Sequence, residues 1–375
     1  MREKMMVSIL LLLCMTLTAC SNTINDPEYE THSVEVTDVS VQNTEDSDIE
    51  ETDVEDADNG DTNTEDSNEN KDSLGEASND DIPVVYFTDD ISAESLVEIY
   101  EALNWTPSGK VAVKMSTGEP PASNYLRPEL IGDLVSKVDG TIVECNTAYG
   151  GDRSSTAMHK QVAEDHGFTA IAPFDLMDEE GEIEWPVTGG AHLDKVIVGS
   201  HAENYKDWII LSHFKGHAMA GFGGAIKNVA IGMSSPAGKV YVHTAGERTS
   251  GSIMYSDQDA WVESLPEMVT AVRDHVGEEH IIYINVMNRL SVDCDCDGNP
   301  AEPDIHDIGI LASYDPVAID QACVDLIYQA EGNKSLVKRI EKKHGIKALE
   351  HGEEIGLGSR QYKLVNIDRL YIIVR

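Results

Sequence analysis

The chain has 375 residues, 68 Asp and Glu against 27 Lys and Arg, a formal net charge of -41 and 6 Cys. Residues 21–80 carry 21 of those acids and a single base, Lys71, whereas residues 81–375 carry 46 acids and 24 bases. So large an acidic excess excludes nucleic-acid binding through general electrostatics, which needs a basic face to displace counterions. Six cysteines are too few for a disulfide-built scaffold.

The N-terminus reads as an export signal over residues 1–20. Arg2 and Lys4 precede a nearly unbroken apolar run from Met5 to Ala19, shorter than the roughly 20 residues a permanent spanning helix needs. It ends Leu17-Thr18-Ala19-Cys20, which resembles a bacterial lipoprotein box in which the Cys is lipidated and becomes the mature first residue. Cys20 is thus the expected lipidation site, the membrane is an expected partner through that anchor, and the mature chain is expected on the extracytoplasmic face. Residues 21–81 have almost no large apolar side chains. Such a segment cannot bury enough surface to offset its ordering entropy, so a disordered acidic linker is expected.

From Ile82 to Arg375 short apolar runs alternate with amphipathic stretches. Buried strands are expected at Val84–Phe87, Val111–Val113, Thr141–Val143, Val196–Val198, Trp208–Leu211 and Ile281–Val286. Helical periods occur at Ala93–Leu103, Pro128–Val138, Ser155–His166, Pro266–Val276 and Pro316–Ala330. The alternation predicts an α/β fold, a largely parallel sheet with helices on both faces.

Three stretches end predicted strands with Gly, His and charged residues, where ligands collect in open α/β sheets. The first runs from Glu144 to Thr156 through Gly150, Gly151 and Arg153, with His159 and His166 beyond it. Its Ser-Ser-Thr run opens a helix whose free N–H groups can hold an anion. The second carries His213, Lys215 and His217 before a turn containing Gly223 and Gly224, then Lys227 and Asn228 on a short helix. Glycines there let backbone N–H groups approach a phosphate, with Lys227 supplying charge. Histidine suits proton transfer near neutral pH. A Walker A loop is excluded by spacing. The third, Asp293 to Asp304, holds Cys294 and Cys296, which can ligate a soft metal, pair as a disulfide or stay free. Read by oxygen, Asp293, Asp295, Asp297 and Asp304 fit positions of a calcium loop, interrupted by two prolines.

The ordered set Asn146–Arg153, His166-Gly-Phe168, Ser212–His217, Gly221–Asn228, Cys294-Asp-Cys296 and Asp307–Asp320 resembles the iron–sulfur centre proteins of domain-of-unknown-function family 362. That resemblance spans nearly all of residues 84–368. Many members carry an inserted ferredoxin-like module between the positions of His243 and Cys294. Residues 244–293 contain no Cys here, so a [4Fe–4S] cluster has no ligand set.

A more distant likeness joins His217, Lys227 and His243 to the nickel-pincer site of lactate racemase family enzymes. It implies Lys227 as cofactor tether, His243 as metal ligand, His217 as acid/base and Arg153 on a substrate carboxylate. The chain departs from that pattern at Asp152, which replaces a second catalytic His, and at Ala225-Ile226. The combined expectation is a metal or phosphate-bearing cofactor held by His213, Lys215, Gly223, Gly224, Lys227 and Asn228. Catalysis is assigned to His217, Lys227 and Arg153, and a transition metal (nickel, iron or zinc) to His243, Cys294 and Cys296. Simple capture of a small anion or metal ion, and racemase- or epimerase-like action on a 2-hydroxy acid, are the alternatives.

Overall fold

The computed structural model describes residues 82–369 and 371–374, so the export signal, Cys20 and the acidic linker expected over residues 21–81 lie outside the described residues. The main sheet is built from β1 (Val84–Thr88), β2 (Val111–Lys114), β3 (Thr141–Glu144) and β4 (Phe174–Leu176) on the N-terminal side. It continues with β7 (Asp207–His213), β10 (Ile281–Met287), β11 (Gly309–Ser313), β12 (Lys363–Asn366) and β13 (Tyr371–Val374), in the order β13-β12-β1-β11-β10-β7-β2-β3-β4. Five neighbouring strands, β10-β7-β2-β3-β4, run parallel, β1 and β12 are parallel, and β11 and β13 enter antiparallel. The largely parallel sheet is as expected. Two ribbons stand apart from it: β5 (Glu182–Pro186) with β6 (Lys195–Gly199), and β8 (Lys215–His217) with β9 (Gly221–Gly223). Val196–Val198 is therefore a strand, but it pairs antiparallel with β5 and not with the main sheet.

Both faces of the sheet are covered, which explains its continuous apolar runs. Along β7, Ile209 and Leu211 join an apolar cluster with Leu96 and Ile99 of α1 (Ala93–Ala102) and Ile131 and Leu134 of α2 (Pro128–Lys137). The alternate residues Trp208 and Ile210 point to the opposite cluster. That second cluster takes side chains from α4 (Ala225–Gly232), α5 (Pro236–His243), α6 (Gln258–Val276), α7 (Pro316–Gln329), α8 (Lys334–Lys342) and α9 (Lys347–Glu354). One further helix, α3 (Thr156–Asp165), follows β3.

Helix α6 begins eight residues before the expected Pro266. The Asp257 side chain accepts a hydrogen bond from Ala260 N at 3.1 Å and caps it, so Pro266 stands inside the helix. Short α8 and α9 and the strands β12 and β13 escaped sequence reading.

Connectivity makes a crevice. From β2 the chain winds outward through β3 to β4, then returns to the other side of β2 as β7. Ligands bind outside the carboxyl ends of strands at such a switch point. Helix α4 closes over it, with Lys227, Asn228, Ile231 and Gly232 facing the crevice and Ala225, Ile226, Val229 and Ala230 in the core. Its N-cap is Gly224, which has no capping side chain. The cap comes instead from buried Asp320 of α7, whose carboxylate accepts from Ala225 N at 2.8 Å and Ile226 N at 3.0 Å. Asn285 Nδ2 donates to the same carboxylate at 2.7 Å. A Cβ at position 224 would lie 2.2 Å from Asp320 Oδ1, so the close approach requires glycine. Losing the cap while leaving two buried N–H groups unpaired costs about 2–4 kcal/mol. Asp320→Ala is expected to lower the unfolding free energy by that amount in urea denaturation, and Asp320→Asn by less.

Candidate functional site

The crevice holds a cavity of about 200 Å³ at the carboxyl ends of β2, β3 and β7, roofed by α4, α5 and the loop after β10. Its walls bring the three sequence stretches together. Arg153, His213, Lys215, His217, Gly223, Gly224, Lys227, Asn228, His243, Cys294 and Cys296 all line it. Lys114, which ends β2, and Lys239 were not anticipated. A Lys closing a buried strand and a Lys four residues before His243 on the same helical face were the available signals.

Charge defines the cavity. Five cationic side chains line it (Lys114, Arg153, Lys215, Lys227 and Lys239) against two carboxylates, Glu144 and Asp295, in a protein whose overall charge is strongly negative. Arg153 is compensated: Nε lies 3.0 Å from Glu119 Oε2 and Nη1 3.1 Å from Glu144 Oε1. Burial alone would lower its pKa, but Tyr149, Glu144 and Glu119 outweigh that and raise it. Buried His159 completes this group with Nε2 3.0 Å from Glu144 Oε2. Glu144 sits below the usual carboxylate range because Arg153 and His159 overcome the effect of burial. Lys215 is likewise paired, with Nζ 2.9 Å from Asp295 Oδ2.

Among the described residues the other three lysines make no salt bridge to a carboxylate, and Glu144, Asp295 and Asp178 act on them only at longer range. Lys114 Nζ donates to Met115 O at 2.7 Å and Asn228 Oδ1 at 2.9 Å. Lys239 Nζ donates to Ser234 O at 2.6 Å. Lys227 makes no hydrogen bond or ion pair with the described residues. Burial brings Lys227 down to about 7, helped by the charge of Lys215. Burial also brings Lys114 down to about 8 and lowers Lys239. An ammonium group taken from water without a counter-charge is costly, and a lowered pKa is its signature.

The histidines divide by which nitrogen is free. His243 Nδ1 lies 2.6 Å from Lys239 O, to which it donates, and the ring stacks on Trp261 at 4.2 Å between centroids. Burial holds its pKa near 3, so the ring is neutral and Nε2 keeps a free lone pair. His217 Nδ1 accepts from Met219 N at 3.2 Å and Ala220 N at 2.9 Å. Burial, then the charges of Lys227 and His243, lower its pKa well below the ordinary value, so the neutral ring carries its proton on Nε2. His213 meets an acceptor at each nitrogen, Asp295 Oδ1 at 2.8 Å and Asn288 O at 2.6 Å.

Several expected roles change as a result. His213 borders the cavity, and both its nitrogens are hydrogen-bonded within the protein, one of them to Asp295. The Gly224 turn does not offer its helix N-terminus to a phosphate, because Asp320 already occupies Ala225 N and Ile226 N. Asn228 is a brace: Nδ2 donates to Lys114 O, Leu211 O and Ser212 Oγ, each at 3.1 Å, tying β2 to β7. The calcium loop is not assembled, since Asp295 turns inward to His213 and Lys215 while Asp293 pairs with Arg339 at 3.4 Å.

Cys294 and Cys296 are joined by a disulfide. The ring that approaches them is His217 and not the expected His243: a His217 nitrogen and the two sulfurs lie within 4.8 Å of one another, a spacing that could hold a metal ion. In this form the sulfurs are not thiolates and the His217 lone pair is engaged by backbone. Asp152 is exposed and outside the cavity wall, so it supplies no second acid/base there.

These features define an α/β protein with a lysine-rich cavity at a topological switch point. The chain belongs to the family described as Domain of unknown function (DUF362), whose model matches residues 111–325, more than half its length. No curated protein matches it. Among solved structures it is similar to the lactate racemase apoprotein from Thermoanaerobacterium thermosaccharolyticum, at 13% identity and a TM-score of 0.35, over 56% of this chain and 52% of that one. It is similar also to a protein from Thermotoga maritima, at 11% identity and a TM-score of 0.38, over 70% of this chain and 58% of that one. The chain therefore spans little more than half the length of either structure.

The lysines give the free protein a particular pH response. Lys227 keeps its proton only below about pH 7 when folded but up to its ordinary 10.5 when unfolded, so between these values the unfolded state binds more protons. Stability should therefore rise with pH from 7 to 9, above which the unfolded thiols of Cys145 and Cys323 ionise and oppose it. Urea denaturation across that range should show the rise in the wild type and a shallower one in Lys227→Met.

Proposed function

We propose that the domain binds a small polyanion, a phosphate-bearing cofactor or substrate, in the lysine-lined cavity, with Lys227 taking up or giving a proton and His217 donating a hydrogen bond to it. The observation that supports this reading is the set of three lysines, Lys114, Lys227 and Lys239, that share one cavity and make no salt bridge to a carboxylate among the described residues. A bound phosphate would supply the missing counter-charge and accept hydrogen bonds from ammonium groups already fixed by backbone and Asn228. Lys227, free of protein partners, would contact it first. His217, neutral and with Nδ1 engaged by Met219 N and Ala220 N, presents Nε2–H as a hydrogen-bond donor to a bound anionic oxygen. Arg153, locked between Glu119 and Glu144, serves as a fixed positive wall.

A narrower reading, favoured by the free Nε2 of His243, is a metal-bearing cofactor tethered through Lys227. Lys227 and His243 fit as tether and ligand, whereas Cys294 and Cys296 do not supply thiolates while joined. Such a group would bring redox chemistry to a substrate carbon, and His217 would present its Nε2–H as a hydrogen-bond donor beside it. Elemental analysis of protein matured in its native host decides this. Near-stoichiometric nickel, iron or zinc that is lost in His243→Ala supports it, and a metal-free protein sinks it.

The anion reading is tested by calorimetry with pyrophosphate. Charge-assisted hydrogen bonds contribute about 1.5–3 kcal/mol each, so Lys227→Met is expected to weaken binding by roughly tenfold to a hundredfold. Binding should also take up protons at pH 8, where Lys227 and Lys114 are partly neutral, and weaken as pH rises through about 7 and 8. Equal heats in buffers of different ionisation enthalpy would rule out that linkage.

We also propose that the domain is held outside the cell by lipidation of Cys20 in the sequence Leu17-Thr18-Ala19-Cys20. No helix among the described residues is long and apolar enough to cross a membrane. Cys20→Ser should move the protein from the membrane pellet to the soluble fraction on cell fractionation, and retention in the pellet would refute the anchor.

A further inference from the structure

The Cys294–Cys296 disulfide has no evident structural duty. It closes a loop across a single intervening residue, so it constrains little of the unfolded chain. The turn is held by other bonds, Glu119 N donating to Asp295 O at 2.7 Å and Asp297 N to Cys294 O at 2.9 Å. The side chain between the cysteines is anchored inward on His213 and Lys215. The two sulfurs differ in access: Cys294 is buried and Cys296 exposed, yet both border the cationic cavity.

We propose that Cys294 and Cys296 form a thiol–disulfide exchange couple whose partner is a small thiol bearing a carboxylate or phosphate, drawn in by the cavity lysines. This rests on the anion reading given above. The partner's thiolate attacks the exposed Sγ of Cys296. The electron pair of the S–S bond leaves with Cys294 sulfur, which already accepts the Cys296 backbone N–H at 3.3 Å and lies beside the His217 ring. The proton lost by the attacking thiol ends on Cys294. A second partner thiol then attacks the partner's sulfur in the mixed disulfide, releases Cys296 as a thiol and leaves as a partner disulfide. Two thiols are oxidised and one protein disulfide is reduced, so atoms, protons and electrons balance. Run backwards, the reduced pair opens a partner disulfide. The cavity lysines lower the cost of bringing an anionic thiol to an anionic transition state, in which negative charge is shared among three sulfurs.

The experiment follows reduction of the disulfide in the full chain by 3-mercaptopropionate and by 2-mercaptoethanol, at equal thiolate concentration, by mass spectrometry. The carboxylate thiol is expected to react at least tenfold faster, and Lys227→Met or added pyrophosphate should abolish that preference while sparing the hydroxyl thiol more. In Cys294→Ser the remaining Cys296 should accumulate a mixed disulfide with oxidised 3-mercaptopropionate, whereas Cys294 in Cys296→Ser should not. Equal rates for the two thiols, with pyrophosphate still binding by calorimetry, would overturn the exchange couple and leave the anion reading standing. Equal rates together with no pyrophosphate binding would overturn both. An adduct that forms on Cys294 instead of Cys296 would also refute the assigned order of attack.

Discussion

Positive charge buried with no carboxylate in direct contact is the constraint around which this site is arranged. Lys114, Lys227 and Lys239 meet at the switch point of the sheet, and each is kept there by a different device. Lys114 is held by a carbonyl and by Asn228, and Lys239 by the carbonyl of Ser234. Lys227 is held by nothing but its helix, and its pKa is brought close to neutrality. An arrangement that costs the free protein stability is maintained at a cavity wall, where perturbed groups concentrate in functional sites.

Two buried carboxylates set the boundary of that excess. Glu144 and Asp295 each take an Arg or Lys and a His, so Arg153 and Lys215 become fixed walls and are not free charges. Asp320 performs a third such task out of the cavity by capping α4. With the α4 N-terminus already satisfied, the groups left unpaired at the cavity wall are side-chain ammonium groups and not backbone N–H groups. The loop after β10 places the Cys294–Cys296 disulfide in the same wall.

Much of the scaffold was readable in advance because strand and helix periods are local. The alternation of Trp208 to Leu211 between two faces and the spacing of Leu96, Ile99 and Tyr100 follow from periods of 2 and 3.6. Segments whose identity depends on neighbours were not readable. Val196–Val198 has the composition of a sheet strand but finds its partner in β5, and α6 runs through Pro266 because Asp257 caps it earlier. The site stretches were legible as strand-end clusters of Gly, His and Lys. Lys114 and Lys239 were not, since their only local signals, a Lys closing a buried strand and a Lys four residues before His243, do not show that the two meet in one cavity.

The sequence by itself determined the α/β class, the family motifs, the absence of ferredoxin cysteines and the identity of most cavity side chains. Only the tertiary structure decided which of them are free. Asn228 and Lys114 are 114 residues apart, His213 and Asp295 82, and Ala225 and Asp320 95. Whether a His keeps a lone pair, a Lys keeps a counter-ion or a helix end stays open depends on these distant pairings. Hydrogen bonds and charges act through space over a few ångströms, and no periodicity along the chain encodes which partners the fold will bring within that range.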